Sequence, residues 1–498
     1  MEVKFESREH LCLHTILRET GTGEQVQEIK LPDGMPDVGQ VIASWGQPIL
    51  RGKEWRNDSI SFTGGMMVWV LYRAEDGSTE KCIDAWVPFQ MKWELPALSP
   101  EGTIRLRCFT RFVDARPVSP RKIMVRCGMG AIMKAMAKGG FEVYELGENL
   151  EGIELLKASY PIRLPQEMGE KTFLIDEELP LPDSAPVAKK LIYYRMEPKV
   201  TDRKVLGGKL VFRGQGMLHI LYASEDGHLT SWDFEVPFSQ YAELETEHGT
   251  DAQADMEMAV TSLELELEEG GDFRLKAGVT AQYLITDKLL LEIIEDAYSP
   301  GRDVALNSRI LERNVVLDNR REMICGEENL GADATSAVDG TFLWDFPRQM
   351  RMEQGVDLEV PGVFQTLYYD GEGVLRSASN RWEGNMRIAA DENSELSAMP
   401  GVAQVQTGLG SGGVQMKLEL PMDISSTADQ GFSMVTGVEQ GECRAKDPGR
   451  PSLILRRSGT KRLWDIAKDS GSTVEAIRQA NGIQGEPAPG QMLLIPVP

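Results

Sequence analysis

Long hydrophobic runs are missing from this chain of 498 residues. No stretch reaches the roughly 18 uninterrupted apolar residues that a membrane-spanning helix requires, so no membrane span is expected. The opening Met1-Glu2-Val3-Lys4-Phe5-Glu6 has no basic segment leading into an apolar run. A secretory leader is therefore not expected, and the chain is assigned to the cytosol that makes it. The six cysteines (Cys12, Cys82, Cys108, Cys127, Cys325, Cys443) include no CxxC pair. That fits reduced thiols, expected as small buried hydrophobes, and not a disulfide framework or a zinc knuckle. Histidine is scarce, with five in the chain. His10 and His14 are four apart but lack HExxH chemistry and further ligands, so no metal is expected there. There is no GxSxG and no Walker loop. Gly408-Leu409-Gly410-Ser411-Gly412-Gly413 is rich enough in glycine to cradle a phosphate, yet such a fingerprint must open a helix. Here Val414, Met416, Leu418 and Leu420 alternate instead, so the segment is read as a hairpin turn. With no acid/base set, metal cage or cofactor loop, the expectation is a non-enzyme that uses no cofactor.

Acid, by contrast, is plentiful: 77 Asp and Glu against 53 Lys and Arg, a net charge of −24. From Pro451 onward six basic residues face four acidic ones, so the acidity belongs to the body that precedes it. An acidic body argues against unaided nucleic-acid binding, which needs a basic stripe for phosphates. Glu243, Glu245 and Glu247, like Glu264, Glu266 and Glu268, alternate with other residues and are expected on solvated strand faces, not in a calcium loop. A chain this long divides into three or four domains of ordinary size.

Self-similarity marks those domains. Leu31-Pro32-Asp33-Gly34-Met35-Pro36 returns as Leu181-Pro182-Asp183-Ser184-Ala185-Pro186, Gly64 as Gly214, and Leu71-Tyr72 as Leu221-Tyr222. Glu75-Asp76-Gly77 returns as Glu225-Asp226-Gly227, and Val87-Pro88-Phe89 as Val236-Pro237-Phe238 one residue early. All but the last are offset by 150 residues. A divergent third copy carries Leu367-Tyr368, Gly373 and Trp382, with Gly384 where Pro88 would stand. Within each copy the periodicity is that of strands. Val68, Val70 and Tyr72 alternate with Trp69 and Leu71, and Ile123, Val125, Cys127, Met129, Ala131 and Met133 step by two. Asp-Gly and Gly-Gly pairs close hairpins. The expected modules, 1–150, 151–305 and 306–445, are antiparallel sandwiches or curled sheets whose edges are open to pairing. Trp69, Trp86, Tyr72 and Tyr222 are expected in their cores.

A Pro/Gly break over 443–451 introduces the last unit, 446–498. Leu453-Ile454-Leu455 predicts a strand, and Leu463-Trp464-Asp465-Ile466-Ala467 predicts a helix with Leu463, Ile466 and Ala467 on one face. Ser472-Thr473-Val474-Glu475 predicts a capping box for a second helix that stops at Asn481-Gly482. Met492-Leu493-Leu494-Ile495 predicts the closing strand of a βααβ unit.

This ordered set, with Pro489-Gly490-Gln491 and Leu494-Ile495-Pro496, resembles the LysM domain. The resemblance implies binding of N-acetylglucosamine-containing glycans by two loops, here Gly459, Thr460, Lys461 and Arg462, and Ile483, Gln484 and Gly485. Where the family commonly has a Gly-Asp-Thr turn this chain has Thr460-Lys461-Arg462, which makes the first loop basic. The upstream cores, Gly64…Leu71-Tyr72…Pro88-Phe89 and its second copy, resemble SPOCS domains. Tandem SPOCS domains ending in LysM are similar to spore-coat proteins of the SpoIVA-interacting type. The resemblance implies a structural adaptor made in the mother cell, working at the forespore surface, whose partners are spore-coat morphogenetic proteins. The alternative is an anchor that holds peptidoglycan or cortex through the LysM loops.

Overall fold

The computed structural model describes residues 2–77, 79–96, 99–145, 152–353, 355–444, 449 and 451–497, with residues 2–4 as backbone alone. The expected boundary at 150/151 and linker residues 445–448 and 450 lie outside the described residues. The chain is almost wholly antiparallel β, with two short helices near its C-terminus.

The first module runs β1 (Glu2–Lys4), β2 (Glu6–Lys30), β3 (Val38–Arg56), β4 (Ser59–Ala74), β5 (Glu80–Glu94), β6 (Gly102–Ser119) and β7 (Lys122–Glu145). Strands β3, β4 and β5 form one meander sheet, and β2, β7 and β6 form the second. The alternating Ile123, Val125, Cys127, Met129, Ala131 and Met133 of β7 are buried between the sheets against Ile60, Phe62 and Tyr72, making a sandwich core. The second module repeats the path with β8 (Glu154–Leu179), β9 (Ala188–Leu206), β10 (Lys209–Ser224), β11 (Leu229–Glu243), β12 (Gln253–Leu267) and β13 (Phe273–Tyr298). Its sheets are β9-β10-β11 and β8-β13-β12.

The divergent copy has the same plan, in β14 (Arg302–Leu330), β15 (Ala334–Trp344), β16 (Arg348–Met352), β17 (Gly355–Asp370), β18 (Leu375–Ile388), β19 (Ser394–Pro400), β20 (Gln404–Gly410) and β21 (Gly413–Cys443). Two short strands, β19 and β20, take the place of one, and both pair with β21. The Gly408–Gly413 segment is a β20–β21 hairpin, with Gly410 opposite Gly413. The expected change of module at 305/306 falls inside β14, which already begins at Arg302.

The repeated residues have repeated duties. Tyr72 and Tyr222 are buried at the centre of their meanders, and their hydroxyls donate to Pro36 O (3.1 Å) and Pro186 O (3.0 Å), locking the turn that carries the chain between sheets. In the third copy Tyr368 instead donates to Asp333 Oδ1 at 3.0 Å. A Cβ on Gly64 would lie 2.4 Å from Ile49 O, and one on Gly214 2.2 Å from Lys199 O, so glycine is required where the neighbouring strand bulges inward. The preceding leucines face the other way. Leu71, Leu221 and Leu367 meet in one apolar cluster with Trp45, Trp69, Ile192, Tyr193 and Val338. At the opposite end Phe141, Leu291 and Phe432 meet with Val143, Ile293 and Met434. Each module therefore touches both others in a closed ring, and β1 completes it by pairing with β21.

Three expectations change. Cys12 and Cys127 are buried, but Cys325 and Cys443 are exposed and Cys82 and Cys108 half-buried, because strand alternation turns those positions off the sandwich core. β11 ends at Glu243, so Glu245 and Glu247 are not on a strand face; the Glu245 N–H is used in a turn that donates to buried Glu167. Trp69 lies in the cluster between modules and Trp86 is half-buried against the second module's core, so neither is in the core of its own module. His219, between Leu218 and Ile220, likewise faces the third module and is buried there.

Candidate binding site

The C-terminal unit is built from β22 (Leu453–Arg457), α1 (Leu463–Ser470), α2 (Val474–Asn481) and β23 (Met492–Pro496), with β22 and β23 antiparallel. Its helices have eight residues each, too short to persist alone, so they stand on tertiary burial. Leu463, Ile466, Ala467, Ile477, Leu493 and Ile495 supply it. The cap of α2 is not Ser472 but Thr473, whose Oγ1 accepts from Ala476 N at 3.0 Å. Ser472 is buried and its hydroxyl is taken by Pro496 O, which leaves the cap to its neighbour. Gly482 ends α2 at φ 65°, as the Asn481-Gly482 pair predicts.

The seven residues proposed for the loops fall into two segments that the fold brings together. Gly459, Thr460, Lys461, Arg462, Gln484 and Gly485 are exposed; Ile483 is half-buried against the domain core. The link between the loops is Glu486, whose Oε2 accepts from Leu463 N at 2.6 Å and so occupies a free N–H of the first helical turn. Asn481 stitches α2 to β23, accepting from Leu494 N at 2.7 Å and donating to Leu494 O at 2.6 Å. Neither role was read from the sequence, since Glu486 acts on a residue 23 positions earlier. The basic loop is also less free than its composition implies. Lys461 Nζ lies 2.7 Å from Asp469 Oδ2, and Arg462 Nε 3.3 Å from Asp465 Oδ2. Such a surface presents donors with compensated charge, suited to polar ligands or to an acidic face that displaces the internal carboxylates. Replacing Glu486 with Ala is expected to cost about 1 kcal/mol, as loss of a cap does. Amide exchange at Leu463 and across 459–462 should accelerate while Leu493 stays protected; unchanged exchange at Leu463 would show the carboxylate is idle.

The unit is not a free appendage. Trp464 Nε1 donates to Asp296 Oδ2 (2.8 Å) at the end of β13, and Lys468 Nζ lies 2.7 Å from both Asp296 oxygens. Tyr298 packs edge-on against Trp464, with ring centroids 4.8 Å apart, and donates to Ser472 O at 2.9 Å. Burial works against the Asp296 charge, but Lys468 and the indole N–H hold its carboxyl below the usual range.

Elsewhere, polar clusters serve structure. Thr246 Oγ1 lies 3.3 Å from His248 Nε2, and His248 Nδ1 3.7 Å from Asp287 Oδ2, an order reminiscent of a hydrolase triad. Both Thr246 N and Oγ1, however, face Glu167 Oε2, so the threonine is committed to holding its loop. His10 stacks on Phe141, and His14 Nε2 stands 4.0 Å from Cys12 Sγ. Among the described residues no group of three or more His, Cys, Asp or Glu is placed to hold a metal ion, and no helix is long and apolar enough to cross a membrane.

Residues 188–268 match the family model described as SipL, SPOCS domain, and residues 463–496 match that of the LysM domain. The SPOCS match covers β9 to β12 of the second module; the LysM match begins at α1 and ends with β23. No curated protein and no solved structure matches the chain. Both matched domains are of non-catalytic binding types, and together they mark a sporulation-related protein with a domain of the peptidoglycan-binding type.

Proposed function

We propose that the chain is a structural adaptor of spore-coat assembly, binding coat morphogenetic proteins through its β modules and through the loops Gly459–Arg462 and Ile483–Gly485. In this reading the modules expected at 1–150, 151–305 and 306–445 are of the SPOCS type, the third taking in the start of β14 at Arg302, and 446–498 carries the linker and the LysM domain. It works in the mother cell at the forespore surface. The observation that supports it most is the fixed seating of the LysM domain on Asp296 and Tyr298. A domain whose task is to reach into a polymer gains from a loose tether, whereas a linker of layers gains from a constant distance and angle between two binding faces. A peptidoglycan or cortex anchor is the second reading, favoured by the LysM match itself.

The two readings part at Lys461 and Arg462. Both side chains are exposed, so reversing both to Glu should leave the fold intact; a Glu at 462 still suits the start of α1. Under the adaptor reading the reversal weakens capture of a SpoIVA-type coat protein at least several-fold, with the greater loss at low salt, where charge steering is strongest. Under the anchor reading the parent chain binds insoluble peptidoglycan tightly and almost independently of salt. Co-sedimentation with each ligand, parent and variant at two salt concentrations, separates them. Tight salt-independent sedimentation with peptidoglycan and no capture of coat protein rejects the adaptor.

A further inference from the structure

Beside the apolar cluster that contains Cys12 and Leu164 lies a charge-lined cavity of about 950 Å³, bounded by strands of all three modules. Its volume is at the upper end of those that hold small molecules. Its charge runs against the rest of the chain. Nine Lys and Arg side chains line it against five Asp and Glu, in a protein whose net charge is −24.

Four of the five carboxylates are already taken. Arg105 Nη1 lies 2.5 Å from Asp255 Oδ2, Arg107 Nη1 3.8 Å from Glu257, and Arg18 Nη1 3.1 Å from Glu395. Arg321 holds Asp423 through two parallel bonds of 2.7 and 3.0 Å. Arg320 is held from outside the cavity by Asp318 and Glu322, but other cations are left over. Among the described residues the Lys134 ammonium has neither an ion pair nor a hydrogen bond, and Arg313 Nε is buried with no partner, although its Nη1 donates to Glu312 O and its guanidinium lies over Phe141 at 4.5 Å. Desolvation pushes the Lys134 ammonium down to about 8, helped by repulsion from Arg105 and Arg18 and against the pull of Asp255 and Glu395. A sandwich interface has no structural need to collect like charge. A partly desolvated ammonium with no partner of its own, beside two arginines whose carboxylates are already engaged, is costly, and an anion placed among them would offset that cost.

We propose that this cavity binds a small multivalent oxyanion, phosphate-bearing or polycarboxylate, held by Lys134 and the arginines around it. The guanidinium fork matches both oxyanion geometries, so the shared chemistry is a compact cluster of negatively charged oxygens. The site is separate from the LysM loops and does not depend on the adaptor reading.

The test uses the full chain with inorganic pyrophosphate and citrate as probes, against sodium chloride at matched ionic strength. One or both probes should bind at one per chain in calorimetry and raise the midpoint of thermal unfolding by several degrees. Pyrophosphate alone indicates a phosphate-bearing ligand; citrate alone or both together show that carboxylates are accepted. Lys134→Met should weaken binding at least tenfold while leaving the anion-free midpoint unchanged or higher, because it removes a desolvated cation from beside Arg105 and Arg18. A residue with a merely structural role would behave in the opposite way. Should Lys134→Met misfold, Lys134→Gln carries the same test. No binding by either probe, a shift that chloride reproduces, or binding indifferent to both substitutions overturns the proposal.

Discussion

Replacing Trp464 with Ala should unfold the C-terminal domain and release it from the ring in one step. The indole serves two structures at once: it is buried in the core with Leu463, Ile466 and Ile477, and its N–H is bonded to Asp296. Truncating a buried Trp costs about 3–5 kcal/mol, and breaking a hydrogen bond to a charged group adds about 1.5–3 kcal/mol. A domain of this size has a stability margin smaller than that sum. Hydrogen exchange on the full chain should show 453–497 losing protection while 188–268 stays protected. Trp464→Phe separates the two roles, retaining apolar volume and losing the bond; it should leave the domain folded but raise its susceptibility to proteolysis at the seam with β13. Full protection of 453–497 in Trp464→Ala would refute this account.

Alkaline pH should loosen the seam between the second and third modules through His219. Its Nδ1 lies 2.7 Å from Asp233 Oδ1, and its Nε2 3.0 Å from Asp339 Oδ1, an ion pair at an angle short of a hydrogen bond. Burial disfavours the imidazolium, but Asp339 at 3% exposure, with Asp233, overcomes this and lifts the histidine to about 9. Asp339 carries the pair, because Asp233 is 72% exposed and water weakens its part. A folded pKa above the unfolded value of about 6.5 means that the stabilisation is complete below pH 6.5 and is lost as pH rises through 9. Its size is of the order of 3 kcal/mol at low pH. Lys134 titrates in the opposite sense, its folded value being depressed, so the informative quantity is the difference between parent and variant. Asp339→Asn should lower the melting midpoint at pH 6.5, leaving a buried histidine without its counter-charge. It should also flatten the decline between pH 6.5 and 9.5. An equal slope in parent and variant would remove His219 from the account.

Alternation along Val68–Tyr72 and Ile123–Met133 was enough to predict antiparallel strands, because every second side chain there meets the core of the module. The motif Leu71-Tyr72 was visible as a repeat, but its division of labour was not. The tyrosine works within a module and the leucine between modules, and contacts between modules impose no period on a single strand. The same holds for His219, whose partner Asp339 arrives from a strand 120 positions further on. At the C-terminus the two loops could be placed from their motifs, since a βααβ unit closes over fewer than fifty residues. Its anchorage could not, because Asp296 precedes Trp464 by 168 positions. The capping box was legible as a helix start one residue out of step, for a reason lodged in Pro496.

The seating of the LysM domain has a consequence for stoichiometry. Ile294 and Ala297 of β13 share an apolar cluster with Val435 and Val438 of β21, and counting on from those residues at the same spacing matches Asp296 and Tyr298 to Gly437 and Glu439. Gly437 has no carboxylate where Asp296 accepts the indole N–H and Glu439 no ring where Tyr298 packs on it, and their backbone is paired with Lys4 and Glu2 of β1. Three identical subunits would present the same socket three times and recruit up to three heads at random azimuths. Fusing the modules into one polypeptide allows a near-symmetric body to carry a single, oriented head. Its valency is written into the chain and does not vary with concentration.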